Sequence, residues 1–399
     1  MIKRLGSFYF LSAFVTTYVV LLLAYPSFLS ISHFEADIFF NQNNYLSLIT
    51  RFFCSIFGQD DFGLRIFFIL LHFINVVLFY LLSKTILKKQ EDINLSVIVF
   101  CLLPAANLSA LLVGKSGIII FGTILFVLLY KYKRRFAAFA FLGVLGFTDG
   151  AFAVLFLALI FYAISQKDNF LIALSVVLFG VSMGFFGFDD GGKPRGYLLD
   201  TIGVYALIFS PFLFFYFVFS LYKTPTNERS IEWYISFWAL IFSLILSLRQ
   251  RIYLHDFAPF VVIAIPFMVR IFFSSYRVRI RKNKKLYDIG FWAVFLFLSL
   301  FFVASFANRP LYMFAKQPHK HFAYNYQIAK ELADSLKSMG VTSCDTQDPE
   351  MALRLKFYGI NHGIEYVLTK KPMPNCKKVS IIYSGAEVAV YYVTKINVL

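Results

Sequence analysis

Apolar runs long enough to cross a bilayer recur from residue 7 to residue 307 of this chain. A helix needs roughly 17–25 apolar residues to span about 30 Å of hydrocarbon, so such runs leave little choice of fold class. Of 399 residues, 59% are hydrophobic and 15% are charged. Soluble domains are nearer half apolar and about a quarter charged, which excludes an ordinary soluble domain here. The chain reads as an all-α polytopic membrane protein. About eleven spans are expected, over residues 7–25, 64–82, 93–113, 117–130, 136–147, 151–164, 170–186, 201–221, 231–248, 257–273 and 289–307. The first run is too long, and lacks the small-residue cleavage site, to be a signal peptide.

Basic residues in the short connections orient the spans. Lys3 and Arg4, Lys84 to Lys89, Lys131 to Arg135, Lys223 to Arg229 and Arg277 to Lys285 all fall on one side, which is read as the cytoplasm. The net charge of +16 is mostly this belt, so it implies no nucleic-acid partner. The opposite face then receives a loop over 29–63, Lys115, Asp149, Lys193 and Arg195, Arg249 and Arg251, and everything after residue 307. Within the loop, residues 45–57 are amphipathic and suit a helix lying along the surface.

Residues 308–399 lose the apolar runs and read as a small extracytoplasmic α/β domain, separate from a membrane domain over 1–307. Helical spacing of Ile328, Ala329, Leu332 and Leu336 predicts a helix over 324–339 that ends at Gly340. A second short helix is expected over 350–357. Strands are expected over 379–383 and 388–393, turning at Gly385. Cys344 and Cys376 both lie here and suit a disulfide in an oxidising space.

Carboxylates Glu35 and Asp37 come from the first loop, and cations come from two others. Charges avoid the bilayer centre at a cost of about 2.5–3.5 kcal/mol or more, so interface placement alone explains each one singly. Their combination on one face suits a site where a carboxylate meets an acceptor hydroxyl and cations meet a phosphate. Lys115 and Asp149 stand at helix tips and suit an ion pair.

The pattern resembles the GT-C superfamily of polyprenyl-phosphate-sugar glycosyltransferases, the group of aminoarabinose and protein O-mannosyl transferases. Glu35-Ala-Asp37 follows the first span, where those enzymes carry an acidic pair. Residues 48–65 are similar to the family's amphipathic loop helix, ending Phe57-Gly58 and leading through Asp60-Asp61 to Leu64-Arg65. Trp238, the segment Arg249-Gln-Arg251-Ile-Tyr253-Leu and Pro259 are similar to its basic turn. The outside tail, with Leu353-Arg-Leu-Lys-Phe-Tyr358-Gly, fits its topology. The chain departs from the family at Ala36, which separates the two acids, at Lys115 and at Asp149.

The resemblance implies inverting transfer of a sugar from a polyprenyl-phosphate carrier to a lipid, glycan or protein acceptor. It implies a bacterial inner membrane, with the N-terminus cytoplasmic and the C-terminal domain periplasmic or extracellular. Asp37, or else Glu35, would deprotonate the acceptor. Arg249 and Arg251 would hold the departing phosphate, with Tyr253, Lys193 and Arg195 as further candidates. No cofactor beyond the lipid-linked sugar and no metal is expected, although Glu35-x-Asp37 has the spacing of metal-dependent oligosaccharide transferases. A non-catalytic relative that binds lipid-linked intermediates or scaffolds an envelope complex is the alternative. A transporter or flippase fits less well, because no internal repeat or paired broken helices are evident.

Overall fold

The structure is a computed structural model that describes residues 2–187, 196–278, 281–314, 317–372 and 376–395. Lys193 and Arg195 lie outside the described residues. The chain forms two compact units, one of Met1–Val19, Leu70–Ala110 and Lys115–Phe302, the other of Val20–Ile69, Leu111–Gly114 and Val303–Leu399. By compactness the first loop therefore groups with the tail, across the division at 307/308 expected from sequence.

The first unit is helical. Among the described residues of the whole chain, five helices are long and apolar enough to cross a membrane, or seven if two bent pairs each count as one span. That measure stops short of the expected eleven. Four further apolar helices, Ser116–Lys131, Arg135–Gly146, Phe152–Gln166 and Ile231–Ser247, are shorter. At 1.5 Å rise per residue they reach only about 18–26 Å. Two of them supply much of the interior, with Phe126, Val127, Phe152, Phe156 and Leu159 buried.

Both bends follow from proline. Gln90–Leu102 and Pro104–Leu111 meet at 57°, with Leu103 extended between them. Leu198–Phe209 and Pro211–Lys223 meet at 106°. Residues 201–221 are expected from sequence as one span. Pro211 disfavours helical backbone in the residue before it, and Ser210 adopts φ +67°, so the run breaks. On the expected cytoplasmic side, Lys131 pairs with the buried Glu232 and Arg277 with Asp92, each at 2.5 Å.

In the second unit the predicted surface helix forms as Tyr45–Phe57. It buries Leu46, Ser47, Thr50 and Cys54 and leaves Leu48, Phe52 and Ile56 exposed in a stripe four residues apart. Before it lies the short helix His33–Phe40, whose start is fixed by a capping box between Ser32 and Glu35.

The tail carries a four-stranded sheet, β1 (Asp345–Thr346), β2 (Tyr366–Thr369), β3 (Lys377–Tyr383) and β4 (Ala386–Lys395), in the order β1-β2-β4-β3. β3 and β4 pair antiparallel with Val379 opposite Tyr391. Ser384 and Gly385 both have positive φ, +49° and +82°, as the tight turn between twisted strands demands. Helices Ala329–Ser338 and Pro349–Phe357 complete a core of Leu332, Leu336, Met351, Leu355, Val379, Ile381 and Tyr391. The first of these starts later than the predicted residue 324, because Ile328 breaks the backbone at φ +77° and Tyr324–Tyr326 forms a separate 3-10 turn. Cys344, buried in the tail, and Cys376, half-buried, could pair by sequence and are free thiols here. Burial pushes the Cys344 thiol up to about 11.

Candidate functional site

In the first unit, helix ends converge on a cavity of about 700 Å³. Its charged end is built from Lys115, Asp149, Arg251 and Asp256. Its apolar walls come from three helices, through Val154 and Leu157, Phe179 and Met183, and Phe242 and Leu246. Lys115 sits immediately before Ser116–Lys131, Asp149 in the turn before Phe152–Gln166, and Asp256 in the 3-10 turn Leu254–Asp256. The Lys115–Asp149 pair expected from sequence forms at 3.3 Å, and Asp256 adds a second carboxylate at 2.5 Å. Asp149 Oδ1 also accepts from the Ala151 amide at 2.9 Å, which holds the turn.

The charges follow from these contacts. Burial alone would lower the Lys115 ammonium, but Asp256 and Asp149 outweigh it and raise its pKa, so it stays charged. Burial lowers the neighbouring His255, opposed by Asp256 and reinforced by Lys115, so its imidazole is neutral at neutral pH. Arg251, an exposed residue of the lining, pairs with no carboxylate among the described residues.

Of the expected phosphate-binding residues, Arg251 and Tyr253 line this cavity and Arg249 does not. Asp256 was missed in the sequence. The only signal was its place in the polar turn after Tyr253, and nothing local pairs it with a lysine 141 positions earlier.

In the second unit, Glu35 and Asp37 sit on the same helix with opposite fates. Glu35 is sealed from solvent and its oxygens are engaged. Oε2 meets Arg65 Nη2 at 2.8 Å and accepts from the Ser32 amide at 2.9 Å, and Oε1 accepts from the Val113 amide at 3.0 Å. Arg65 is itself fully buried and reaches Asp61 at 3.3 Å and the Ser30 carbonyl at 3.1 Å. Asp61 also accepts from the Tyr358 hydroxyl at 2.6 Å and meets Lys330 at 3.1 Å. Arg354 donates to the carbonyls of Ile31 and Gln327 at 2.8 and 2.6 Å. This network clamps the first loop against the tail, with Glu35 inside it.

Asp37 is half-exposed. Its two oxygens accept from the amides of Asn41 and Gln42, each at 2.8 Å. Those hydrogen bonds hold its carboxyl below the usual range, so it is ionised at neutral pH. Arg51 donates to the carbonyls of Phe39 and Gln42, at 2.6 and 3.1 Å, and fixes the turn that presents those amides.

No family model matches the chain, and no curated protein matches it in sequence. Among solved structures it is similar to ArnT from Cupriavidus metallidurans in the apo state. The TM-score is 0.56 at 10% identity, and the match covers 98% of each chain. At that identity the likeness shows the fold alone, a fold of the kind that the sequence resemblance implies.

Proposed function

We propose that this chain, built on the fold of ArnT, is an integral membrane glycosyltransferase. It moves a sugar from a polyprenyl-phosphate carrier to a lipid, glycan or protein acceptor on the extracytoplasmic face. The observation that carries this reading is the cavity of the first unit, charged at one end and apolar along its walls. Such a cavity suits a ligand with a phosphate head and a hydrocarbon chain. In this reading the four short apolar helices also cross the membrane. The membrane is the bacterial inner membrane, with the N-terminus cytoplasmic and the tail periplasmic or extracellular.

Arg251 supplies a guanidinium to the phosphate and Lys115 an ammonium, both through charge-assisted hydrogen bonds. Tyr253 adds a hydroxyl donor. Arg249 stands outside the lining and takes second rank, and Lys193 and Arg195 keep the same task by sequence alone. The base role stays with Asp37 by the sequence resemblance alone: it would take the proton from the acceptor hydroxyl. The acceptor oxygen then bonds to the anomeric carbon as the carbon–oxygen bond to phosphate breaks, and the phosphate leaves with the electron pair. An ionised carboxylate at neutral pH suits that base role, and Asp37 is one.

A non-catalytic protein that binds lipid-linked intermediates is the second reading. It is favoured by the commitment of Glu35 to Arg65, which leaves Asp37 alone of the acidic pair. Reconstituted protein given a radiolabelled polyprenyl-phosphate sugar separates the two. Transfer or donor hydrolysis that is lost in Asp37→Asn supports the enzyme. Tight binding of the donor with no turnover supports the second reading. Failure of wild type to bind the lipid removes both.

A further inference from the structure

The interior of the first unit holds a line of polar side chains that the proposed chemistry leaves unused. Asn107 lies on the short helix Pro104–Leu111, just past the 57° bend. Its amide nitrogen donates to the carbonyls of Cys101 at 3.0 Å and Leu103 at 2.8 Å. The Cys101 carbonyl would meet the Ala105 amide in an unbroken helix, and the break at Leu103 and Pro104 strands it. Asn107 replaces the lost backbone bond.

Both amide hydrogens of Asn107 are then used, and its oxygen accepts from the Tyr18 hydroxyl at 2.7 Å. That hydroxyl has spent its own hydrogen, so His72 Nε2, at 2.8 Å, must donate to it. This fixes His72 as the Nε2–H tautomer. All three side chains are buried.

His72 lies on the long helix Asp61–Ile86, and one turn further along the same face Asn75 donates to the Gly117 carbonyl at 2.9 Å. Gly117 is the second residue of the helix that Lys115 precedes. A Cβ on Gly117 would stand 3.2 Å from the Ser109 carbonyl, so that helix packs closely on the one carrying Asn107. The helix Asp61–Ile86 thus holds the bent segment through His72 and Tyr18, and the helix after it through Asn75. Lys115 sits in the turn between the two.

We infer that Tyr18, His72, Asn75 and Asn107 are positioning residues that set the bend at Leu103 and thereby place the Lys115 ammonium at the charged end of the cavity. This rests on the proposed reading of the cavity as a phosphate-lipid site, but the primary readout needs no ligand. Lysines are reductively dimethylated with ¹³C and the Lys115 resonance is assigned by its loss in Lys115→Arg. In wild type it titrates above the ordinary lysine range. In Asn107→Leu it returns toward that range, and Tyr18→Phe, which keeps the ring and removes the hydroxyl, shifts it the same way by less.

The double variant Pro104→Ala, Asn107→Leu gives the stranded carbonyl a straight helix to bond with. It recovers thermal stability, yet its Lys115 titration stays displaced and its affinity for polyprenyl phosphate is roughly tenfold or more below wild type. A double variant, or a folded Tyr18→Phe, whose Lys115 titrates as in wild type overturns the inference. If wild type fails to bind polyprenyl phosphate, the functional reading falls while the titration still decides this one.

Discussion

Glu35 and Arg65 meet at 2.8 Å with neither side chain reaching solvent. A buried pair broken on one side leaves a charge that neither water nor protein compensates, at about 3–5 kcal/mol. Arg65→Leu is therefore expected to lower the melting temperature sharply in detergent. The double variant Glu35→Gln, Arg65→Leu recovers part of the loss, because no unpaired charge remains. Differential scanning fluorimetry of the three variants checks this, and equal melting of Arg65→Leu and wild type refutes it.

Asp37→Asn keeps the shape of the side chain and removes the base. The melting temperature falls only modestly, since the group is half-exposed and the amide keeps one of its two acceptor oxygens. Transfer falls by about 10²–10⁴-fold, the range of a general base. The hydrogen bonds from Asn41 and Gln42 depress the Asp37 pKa. The base form therefore persists as pH falls through the ordinary carboxylate range, and the acid limb of the rate profile lies below that range. A limb near neutrality assigns the base elsewhere.

Lys115 and Arg251 are expected to act on affinity together. Each →Ala variant weakens polyprenyl phosphate binding by roughly tenfold or more, as loss of a charge-assisted bond does. The sign with pH follows from the raised Lys115 pKa. Its pairing with Asp149 and Asp256 is fully present below the ordinary lysine range and is lost as pH rises through the raised value. Titration calorimetry at neutral and strongly alkaline pH reads both effects, and unchanged binding in Arg251→Ala removes that residue from the site.

Tyr358 joins loop and tail through one hydroxyl, which donates to Asp61 at 2.6 Å and accepts from the Ile31 amide at 2.8 Å. Tyr358→Phe strands a buried amide and loses a bond to a carboxylate, at about 1.5–3 kcal/mol. Faster proteolysis of residues 29–33 than in wild type is the expected sign.

Gly63 has no room for a methyl group. A Cβ there would lie 2.1 Å from the Gly58 carbonyl, a backbone atom that cannot swing aside. Gly63→Ala destabilises by about 1–3 kcal/mol, as overpacking does. Thermal melting checks it.

Much of this molecule is local and so legible in its sequence. Helices in the membrane form wherever apolar runs are long, because unpaired backbone groups in hydrocarbon are intolerable. The surface helix Tyr45–Phe57 was readable from its pattern, and the turn at Gly385 from its glycine. Pro104 and Pro211 each break an apolar run that a count of apolar residues passes over.

What the sequence left open were relations between residues far apart. Glu35 and Asp37 are neighbours of the same chemistry, and no local rule makes one a buried partner of Arg65 and the other a half-exposed, ionised acid. Lys115 gained Asp256, and the Pro104 break gained Asn107, Tyr18 and His72. Backbone hydrogen bonding and the apolar length of a run act over a few residues, so sequence determined which segments are helices. Electrostatic pairing and burial depend on which helix ends come together, and only the tertiary structure decided that.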